Sequence, residues 1–386
     1  MGIVIDYTKG FFEASPSGET VGDISGNATL DLSSGNVFNH TPTADTTFVF
    51  NNPPASGTAY GMTLKVIGAN ISLGGDLSNA SYDSKSFSVS SQEIYVQSLF
   101  IGNNGTKLYV VGTNNDTVFQ YTLPTAYDIS TASYDSVSFS VSSQTSTPVG
   151  LAFKSDGTSF YVADNSTEVI FQYDLSVAWD VSSASYSSKS FSTNAQAGDF
   201  QSKPAFSTDG SVMIVPKFSN DVVYQYTLST PWDISTAFYA SKSFSVASQE
   251  TALSAAILSK NGNKLWVIGS TSDTVFEYDL SVSNDISTAT YNSISFSIAA
   301  QDGTPRDLAF ANNDEKFYVL GDSNDSVFQY SATGSAPATF TYPTSVDWPS
   351  GTAPDAPASG ETDVLSFYTT DGGTTYYGFQ VGDAMA

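Results

Sequence analysis

The chain has 386 residues and a formal charge of −25, with 13 basic residues against 38 acidic ones. A surface this acidic repels phosphate backbones and anionic lipids, so we expect neither nucleic-acid binding nor membrane insertion. The sequence has no cysteine and a single histidine, which excludes disulfides and thiolate metal sites and leaves no ligand set that predicts a cofactor.

Residues 1–72 are predicted to form half of an all-β domain. The first residues lack a basic region and a long apolar run, so we expect no secretion signal there. Strand-like runs NATLDL, TTFVF and MTLKVIG follow, separated by turn-rich stretches such as NNPPASG. The single histidine, His40, stands alone in NHTPT, and we interpret it as a surface or core residue rather than a catalytic one.

Residues 73–333 contain a repeat of 52 or 53 residues. One ladder is a tyrosine within S-Y-x-S-x-S-F-S, found at Tyr82, Tyr134, Tyr186, Tyr239 and Tyr291. A second ladder is an aromatic-Gln/Glu-Tyr triplet, which starts at Phe119, Phe171, Tyr224, Phe276 and Phe328. Both ladders have the same one-residue insertion, so they belong to one structural unit.

Each unit resolves into four short strands. In the second unit these are VGLAFK, SFYVAD, VIFQYDL and KSFS, with Ser155-Asp156-Gly157-Thr158 as the first hairpin turn. Four strands in about 50 residues are typical of a propeller blade. The sequence therefore predicts a five-bladed β-propeller with four-stranded blades.

The order of the fragments at the two ends of the repeat predicts how the ring closes. The first KSFSV, at 85–89, has no aromatic-Gln-Tyr strand before it, and the last such strand, at 326–331, has no KSFSV after it. We expect residues of about 85–90 to supply the outer strand of the last blade. Phe87 and Val89 would then face its core.

Residues 334–386 are predicted to complete the domain that the first flank begins. Strand-like runs ATFTY, DVLSFYTT and TTYYGFQV lie there, with Asp371-Gly372-Gly373 as a hairpin turn. Because ring closure brings the two ends of a propeller together, the flanks can form one β-sandwich or jelly-roll-like domain with the propeller inserted in it.

The two flanks carry a distinctive series of motifs. The first contains Gly35-Asn36-Val37-Phe38, then TTFVFNNPPASG at 46–57 and Met62-Thr63-Leu64; the second contains SVDWPSGTAP at 345–354, TDVLSF at 362–367 and Tyr377-Gly378-Phe379. In this order they resemble a β-rich module of tail-fibre and other structural proteins of marine tailed bacteriophages. The resemblance implies a virion component, assembled in the host cytoplasm and exposed on the particle, with other virion proteins as partners. Analogy with phage fibres implies a homo-oligomer, a trimer, and the pattern carries no catalytic residue.

Most acidic residues of the repeat are repeat members, which argues against catalysis, because a catalytic pair needs two acids in unlike environments. One set precedes the outer strands and is interpreted as capping a one-turn bend: Asp76, Asp128, Asp180, Asp233 and Asp285. A second set precedes the third strands and is interpreted as forming Asx-type turns, with weak calcium binding as the alternative: Asp116, Glu168, Asp221, Asp273 and Asp325.

One repeated polar set is a candidate ligand site. It follows the outer strands and consists of Gln92, Gln144, Gln196, Gln249 and Gln301. These glutamines either form hydrogen bonds between blades or line a ring of shallow sugar sites on the face where propellers usually bind ligands. Trp179 and Trp232 lie in connections of the opposite face and are interpreted as bend-packing residues.

The function predicted from the sequence is that of a non-enzymatic virion protein: a fibre, a spike or a capsid-attached appendage. Its sandwich would attach or oligomerise, and its propeller would contact a host surface or glycan. The alternatives are a glycan-active propeller enzyme and a purely stabilising capsid decoration protein. A pocket with two unlike carboxylates about 5–10 Å apart would favour the enzyme.

Overall fold

The computed structural model describes residues 19–20, 27–42, 45–68, 70–196, 199, 203–349 and 351–385, without the side chains of 19–20, 27, 70–74 and 335–337. The chain divides into two units, Met1–Leu73 with Ser335–Ala386, and Gly74–Gly334. No helix in the described ranges has the length and apolar character to cross a membrane.

The first unit contains two sheets around one core. The larger sheet has, in spatial order, the strands Glu19–Thr20, Val37–His40, Tyr60–Ile67, Thr362–Thr369, Tyr376–Met385 and Val346–Asp347. The smaller sheet has Asn27–Asp31, Thr46–Asn51 and Phe340–Thr341. Leu30 and Phe48 of the small sheet share a buried cluster with Leu64 and Phe367 of the large one, so the unit is a β-sandwich built from both flanks.

His40 lies inside this core. Its side chain is buried, its Nε2 is 3.1 Å from Thr46 Oγ1, and its ring meets the edge of Phe48 at 5.2 Å. The prediction of a surface or core histidine is confirmed.

The second unit is a five-bladed propeller of antiparallel four-stranded sheets, as the repeat predicted. From the inner to the outer strand, blade 1 has Val96–Gly102, Lys107–Gly112, Thr117–Thr122 and Ser133–Ser140. Blade 2 has Pro148–Phe153, Ser159–Asp164, Val169–Leu175 and Ala184–Ser192. Blade 3 has Ala205–Phe206, Val212–Lys217, Val222–Leu228 and Ala237–Ser245, and blade 4 has Leu253–Leu258, Lys264–Gly269, Thr274–Leu280 and Ala289–Ser297.

Blade 5 closes the ring with a strand from the beginning of the repeat. Its strands are Pro305–Ala311, Lys316–Gly321, Ser326–Ser331 and, outermost, Ser81–Ser88. The last two are antiparallel, with Val327 opposite Phe87. Val89 is fully buried and Phe87 is partly buried against Tyr121 of blade 1, at 5.5 Å between ring centroids. The predicted closure is confirmed. A separate pair of strands, Asn70–Gly74 and Thr333–Pro337, lies where the chain enters and leaves the ring.

The outer strands are longer than the sequence predicted, because the S-Y-x-S residues belong to them. In blade 1, Gln120 is opposite Val137 while its neighbour Tyr121 is opposite Tyr134, so two residues form a bulge. The serine in each bulge has a left-handed backbone: Ser84, Ser136, Ser188, Ser241 and Ser293.

Short 3-10 turns before the outer strands join neighbouring blades. Their amides at Ile129, Val181, Ile234 and Ile286 donate to the third-strand glutamines Gln329, Gln120, Gln172 and Gln225 of the preceding blade, at 2.8–3.3 Å. Each turn starts at an aspartate whose carboxylate accepts the second amide of the turn, as at Asp128 and Ser130 N, 3.1 Å. The predicted capping role of this aspartate set is confirmed.

Candidate functional site

The two faces of the propeller differ in the chain segments that form them. Each inner strand starts at the connection from the preceding blade, where the glutamine set lies, and ends at the first hairpin turn of its own blade. We call the first side the glutamine face, defined by Gln92, Gln144, Gln196, Gln249 and Gln301. The opposite side is the turn face, defined by the hairpin turns that follow the inner strands.

On the glutamine face, every glutamine of the set contacts the next blade. Its Oε1 accepts from the tyrosine hydroxyl of the aromatic-Gln/Glu-Tyr triplet: Tyr121 to Gln92 at 3.3 Å, Tyr173 to Gln144 at 3.3 Å, Tyr226 to Gln196 at 2.8 Å, Tyr278 to Gln249 at 3.1 Å, and Tyr330 to Gln301 at 3.4 Å. The carbonyl oxygens are therefore used to join blades. A sugar at this ring would have to rely on the amide nitrogens.

On the turn face, a cavity of about 560 Å³ opens on the propeller axis. Part of its lining is aromatic, with Tyr127, Trp179 and Trp232 from the third-to-outer connections of blades 1, 2 and 3. Trp179 lies over Gly157, where an added Cβ would be 2.3 Å from the indole, and it stacks on Phe153 at 5.8 Å. The tryptophans therefore pack against the bends, as predicted, and also form part of a cavity wall.

A polar part of the lining comes from the turns of blades 1, 4 and 5. It contains Asn103, Asn104, Lys260, Asn312, Asn313 and Asp314. The Lys260 backbone N–H donates to Asp314 Oδ2 at 2.8 Å, and the Lys260 ammonium donates to Asn313 Oδ1. Burial raises the pKa of Asp314 to about 6, with the nearby Lys260 charge partly opposing that rise.

The inner end of the cavity is formed by a buried ion pair between non-adjacent blades. Lys203 lines the cavity, and its Nζ is 3.1 Å from Asp307 Oδ2 and 3.1 Å from the Leu99 carbonyl oxygen. Ser98 Oγ donates to the same carboxylate oxygen at 2.6 Å, as does Leu99 N–H at 2.8 Å. Burial lowers the pKa of Lys203, and the Asp307 charge opposes this.

Ser98, Lys203 and Asp307 occupy equivalent places in their blades: Ser98 and Asp307 lie within inner strands, and Lys203 lies two residues before the short inner strand of blade 3. The register of each inner strand against its second strand aligns Ser98, Gly150, Lys203, Ala255 and Asp307. The propeller is thus nearly five-fold in its outer strands but carries five different residues at one depth of its axis. A ligand on the axis would meet one specific arrangement rather than five copies of one.

The second acidic set takes a different role from the one predicted. Asp116, Asp221, Asp273, Asp325 and Glu168 have a left-handed backbone, a conformation for which aspartate is favoured over most residues. Asp116, Asp273 and Asp325 each bury an Oδ1 without a hydrogen bond, instead of making the Asx-turn contact. Within the described ranges no three acidic or histidine side chains form a group that could hold a metal ion.

Two carboxylates, Asp314 and Asp307, lie at or next to the axial cavity. Asp314 is the one carboxylate among the described lining residues. Asp307 lies beneath the lining, with Oδ2 bound as above and Oδ1 accepting Leu308 N–H at 2.7 Å. Both oxygens of Asp307 therefore already accept hydrogen bonds within the protein.

Sequence reasoning missed Lys203, Asp307 and Ser98, because it took its candidate ligand-binding and acidic residues from sets that recur in every blade. A signal was present: a lysine in QSKPAF and an aspartate in PRDLAF occupy segments that are mostly apolar in the other blades. The turn-face cavity itself could not be inferred from the glutamine ladder, which marks the other face.

No protein-family model matches this chain, and no curated protein matches it in sequence. Among solved structures, a proposed 6-phosphogluconolactonase from Bacteroides uniformis aligns at TM-score 0.40 and 14% identity, over 61% of this chain and 65% of that one. A protein from Lactobacillus plantarum aligns at TM-score 0.40 and 15% identity, over 61% and 67%. A luciferin-regenerating enzyme aligns at TM-score 0.37 and 12% identity, over 64% and 94%.

Proposed function

We propose that this chain is a non-enzymatic structural protein of a bacteriophage particle whose propeller contacts glycans on the host surface. The observation that carries the glycan contact is the axial cavity, which combines aromatic rings with side-chain amides. Aromatic faces stack on the C–H faces of sugars, and amides supply both a donor and an acceptor to hydroxyl groups. The single carboxylate of the described lining favours binding over hydrolysis.

The motifs of the two flanks, which resemble a module of phage structural proteins, support the virion assignment. The surface of the sandwich supports a role in attachment. Tyr377, Phe379 and Val381 of the last strand are 47%, 45% and 63% exposed. Apolar side chains that follow one another along one strand form a surface suited to a protein partner. Other virion proteins, or copies of this chain in a trimer, are the partners we propose for it.

Immunogold labelling of intact particles from cultures that produce the protein tests the virion assignment. We expect gold on the particle surface and the protein among the peptides of purified particles. Protein found only in the soluble fraction, with unlabelled particles, would contradict the assignment. Labelled particles whose protein binds no glycan would instead support the purely stabilising decoration role.

A further inference from the structure

We infer that the axial cavity on the turn face binds the end of one neutral saccharide chain, and that the glutamine face is not the sugar site. This inference rests on the proposed glycan contact and specifies its position, its stoichiometry and the class of sugar. Its first support is the mixed lining, which combines the aromatic rings of Trp179 and Trp232 with the side-chain amides of Asn103, Asn104 and Asn313. A volume of about 560 Å³ lies within the range of small-molecule sites.

The charges of the site favour a neutral ligand. Lys203 is paired with Asp307, and Lys260 lies beside Asp314, so each cation has an acidic neighbour. Every other lysine and arginine in the described part of the propeller lies in an ion pair, and none of those is left to attract an anion. The net charge of −25 opposes the approach of polyanionic glycans.

The lining also favours one site over five. The repeated glutamine carbonyls already accept hydrogen bonds from tyrosines, as described above, whereas the polar wall of the cavity comes from turns that differ between blades. Only blades 1, 2 and 3 place an aromatic ring before the capping aspartate; blades 4 and 5 have Asn284 and Gly75 there. A sugar in this cavity therefore has one orientation and one copy per propeller.

Two matched substitutions separate the faces. Ser155 is an exposed residue at the cavity mouth, and Ser143 is an exposed residue beside Gln144 on the glutamine face. Ser155→Trp would block the cavity, and Ser143→Trp would place the same bulk on the glutamine face. Both full-length variants and the wild type are applied to an array of neutral, sialylated and sulfated glycans, and bound glycans are titrated by calorimetry.

We expect the wild type to bind neutral glycans at about one per chain, Ser155→Trp to lose this binding, and Ser143→Trp to retain it. Asn313→Gly keeps the left-handed backbone at this position and removes the side-chain amide together with its hydrogen bond from Lys260, and we expect it to weaken binding by about tenfold, the loss of one or two hydrogen bonds. Unchanged unfolding midpoints would show that the variants are folded.

Binding that survives Ser155→Trp and is lost in Ser143→Trp would overturn the axial site while leaving the proposed function intact. Five ligands per chain, or binding restricted to sialylated or sulfated glycans, would also overturn it. A wild-type protein that binds none of the glycans would overturn the proposed glycan contact together with this inference.

Discussion

Buried carboxylates hold the turns between the second and third strands in two different ways. In blades 1, 4 and 5 the acid comes from the connection that enters the blade, and the second strand ends in glycine. In blade 4 these residues are Glu250 and Gly269, and Glu250 accepts Ala252 N at 2.8 Å and Thr271 N at 3.2 Å. In blade 2 the strand itself ends in Asp164, which accepts Thr145 Oγ1 at 2.5 Å. In both arrangements one carboxylate occupies the same position at this turn. What differs is the residue that supplies it, which is in the entering connection in blades 1, 4 and 5 and at the end of the second strand in blade 2.

The difference between the two arrangements predicts that substitutions of Glu250 and Gly269 have strongly non-additive effects on the free energy of unfolding. A Cβ on Gly269 would lie 2.3 Å from the Ala252 oxygen and 2.4 Å from the Glu250 carboxyl carbon, so Gly269→Asp alone should destabilise by about 3 kcal/mol. Glu250→Thr alone removes a buried acceptor of backbone amides and should cost about 2–3 kcal/mol. In the double variant the Glu250 side chain no longer fills this space, so only the contact with the Ala252 backbone oxygen remains and the new aspartate can take the place that Asp164 has in blade 2.

A double-mutant cycle measured by urea unfolding tests this coupling. We expect the double variant to be more stable than the sum of the single effects by about 1–3 kcal/mol. Purely additive effects would show that the two arrangements are not interchangeable. As a control, Thr251→Ala at an exposed residue of the same connection should change stability by less than about 0.5 kcal/mol.

Asp314 makes the stability of the propeller depend on pH. Its pKa of about 6 in the folded chain exceeds the ordinary value of 3.8, so between these values the folded state holds the proton more often than the unfolded state. The contribution of Asp314 to stability is therefore greatest at low pH and is lost as pH rises through about 6.

Asp314→Asn removes this loss, since an amide has no charge to bury and asparagine tolerates the left-handed backbone at this residue. We expect the stability of the variant relative to the wild type to increase by about 2–3 kcal/mol between pH 4 and pH 7.5. Urea unfolding at several pH values measures this difference. A difference that stays flat with pH would mean that the folded chain does not raise the pKa of Asp314.

At the scale of elements, the closing strand Ser81–Ser88 makes the same ion pair with the next blade as the outer strands of blades 2 and 3. Lys85 of that strand pairs with Asp128 of blade 1 at 2.8 Å, as Lys189 pairs with Asp233 at 2.8 Å. These lysines are partly exposed, so each pair contributes about 0–1 kcal/mol. The buried residue after the strand has a larger effect, because its whole side chain leaves water.

Val89→Ala and Val246→Ala are matched substitutions at the equivalent position after two outer strands, and both valines are fully buried. If the closing strand packs as tightly as an outer strand that directly follows the third strand of its own blade, each substitution should lower the free energy of unfolding by about 2 kcal/mol. A comparison of their unfolding free energies measures this. A cost at Val89 much smaller than that at Val246 would show that the closure is the loose point of the ring.

At the scale of the whole molecule, the propeller features that could be predicted from the sequence are those that every blade shares. The residues that differ between blades on the axis were not predicted. The two ladders sufficed for the blade number and the closure, because every blade needs the same strand pairing. The axial residues Ser98, Lys203 and Asp307 share no local pattern, and their contact depends on the register of three inner strands far apart in sequence. The equivalence of Glu250 in blade 4 and Asp164 in blade 2 could not be predicted for the same reason. The two residues belong to different parts of the repeat, and their carboxylates take equivalent positions only in the folded blades.

The propeller should fold without the flanks, because residues 74–334 contain every strand of its five blades and a buried core in each. The control is residues 93–334, which lack the closing strand and leave the edge of Ser326–Ser331 unpaired. We expect the longer fragment to unfold cooperatively near the midpoint of the corresponding transition in the full chain, and the shorter one to aggregate or to lose cooperative unfolding. Circular dichroism and urea titration compare the two fragments. If both fold equally well, the closing strand is dispensable; if neither folds, the propeller depends on the rest of the chain in a way that its own blades do not explain.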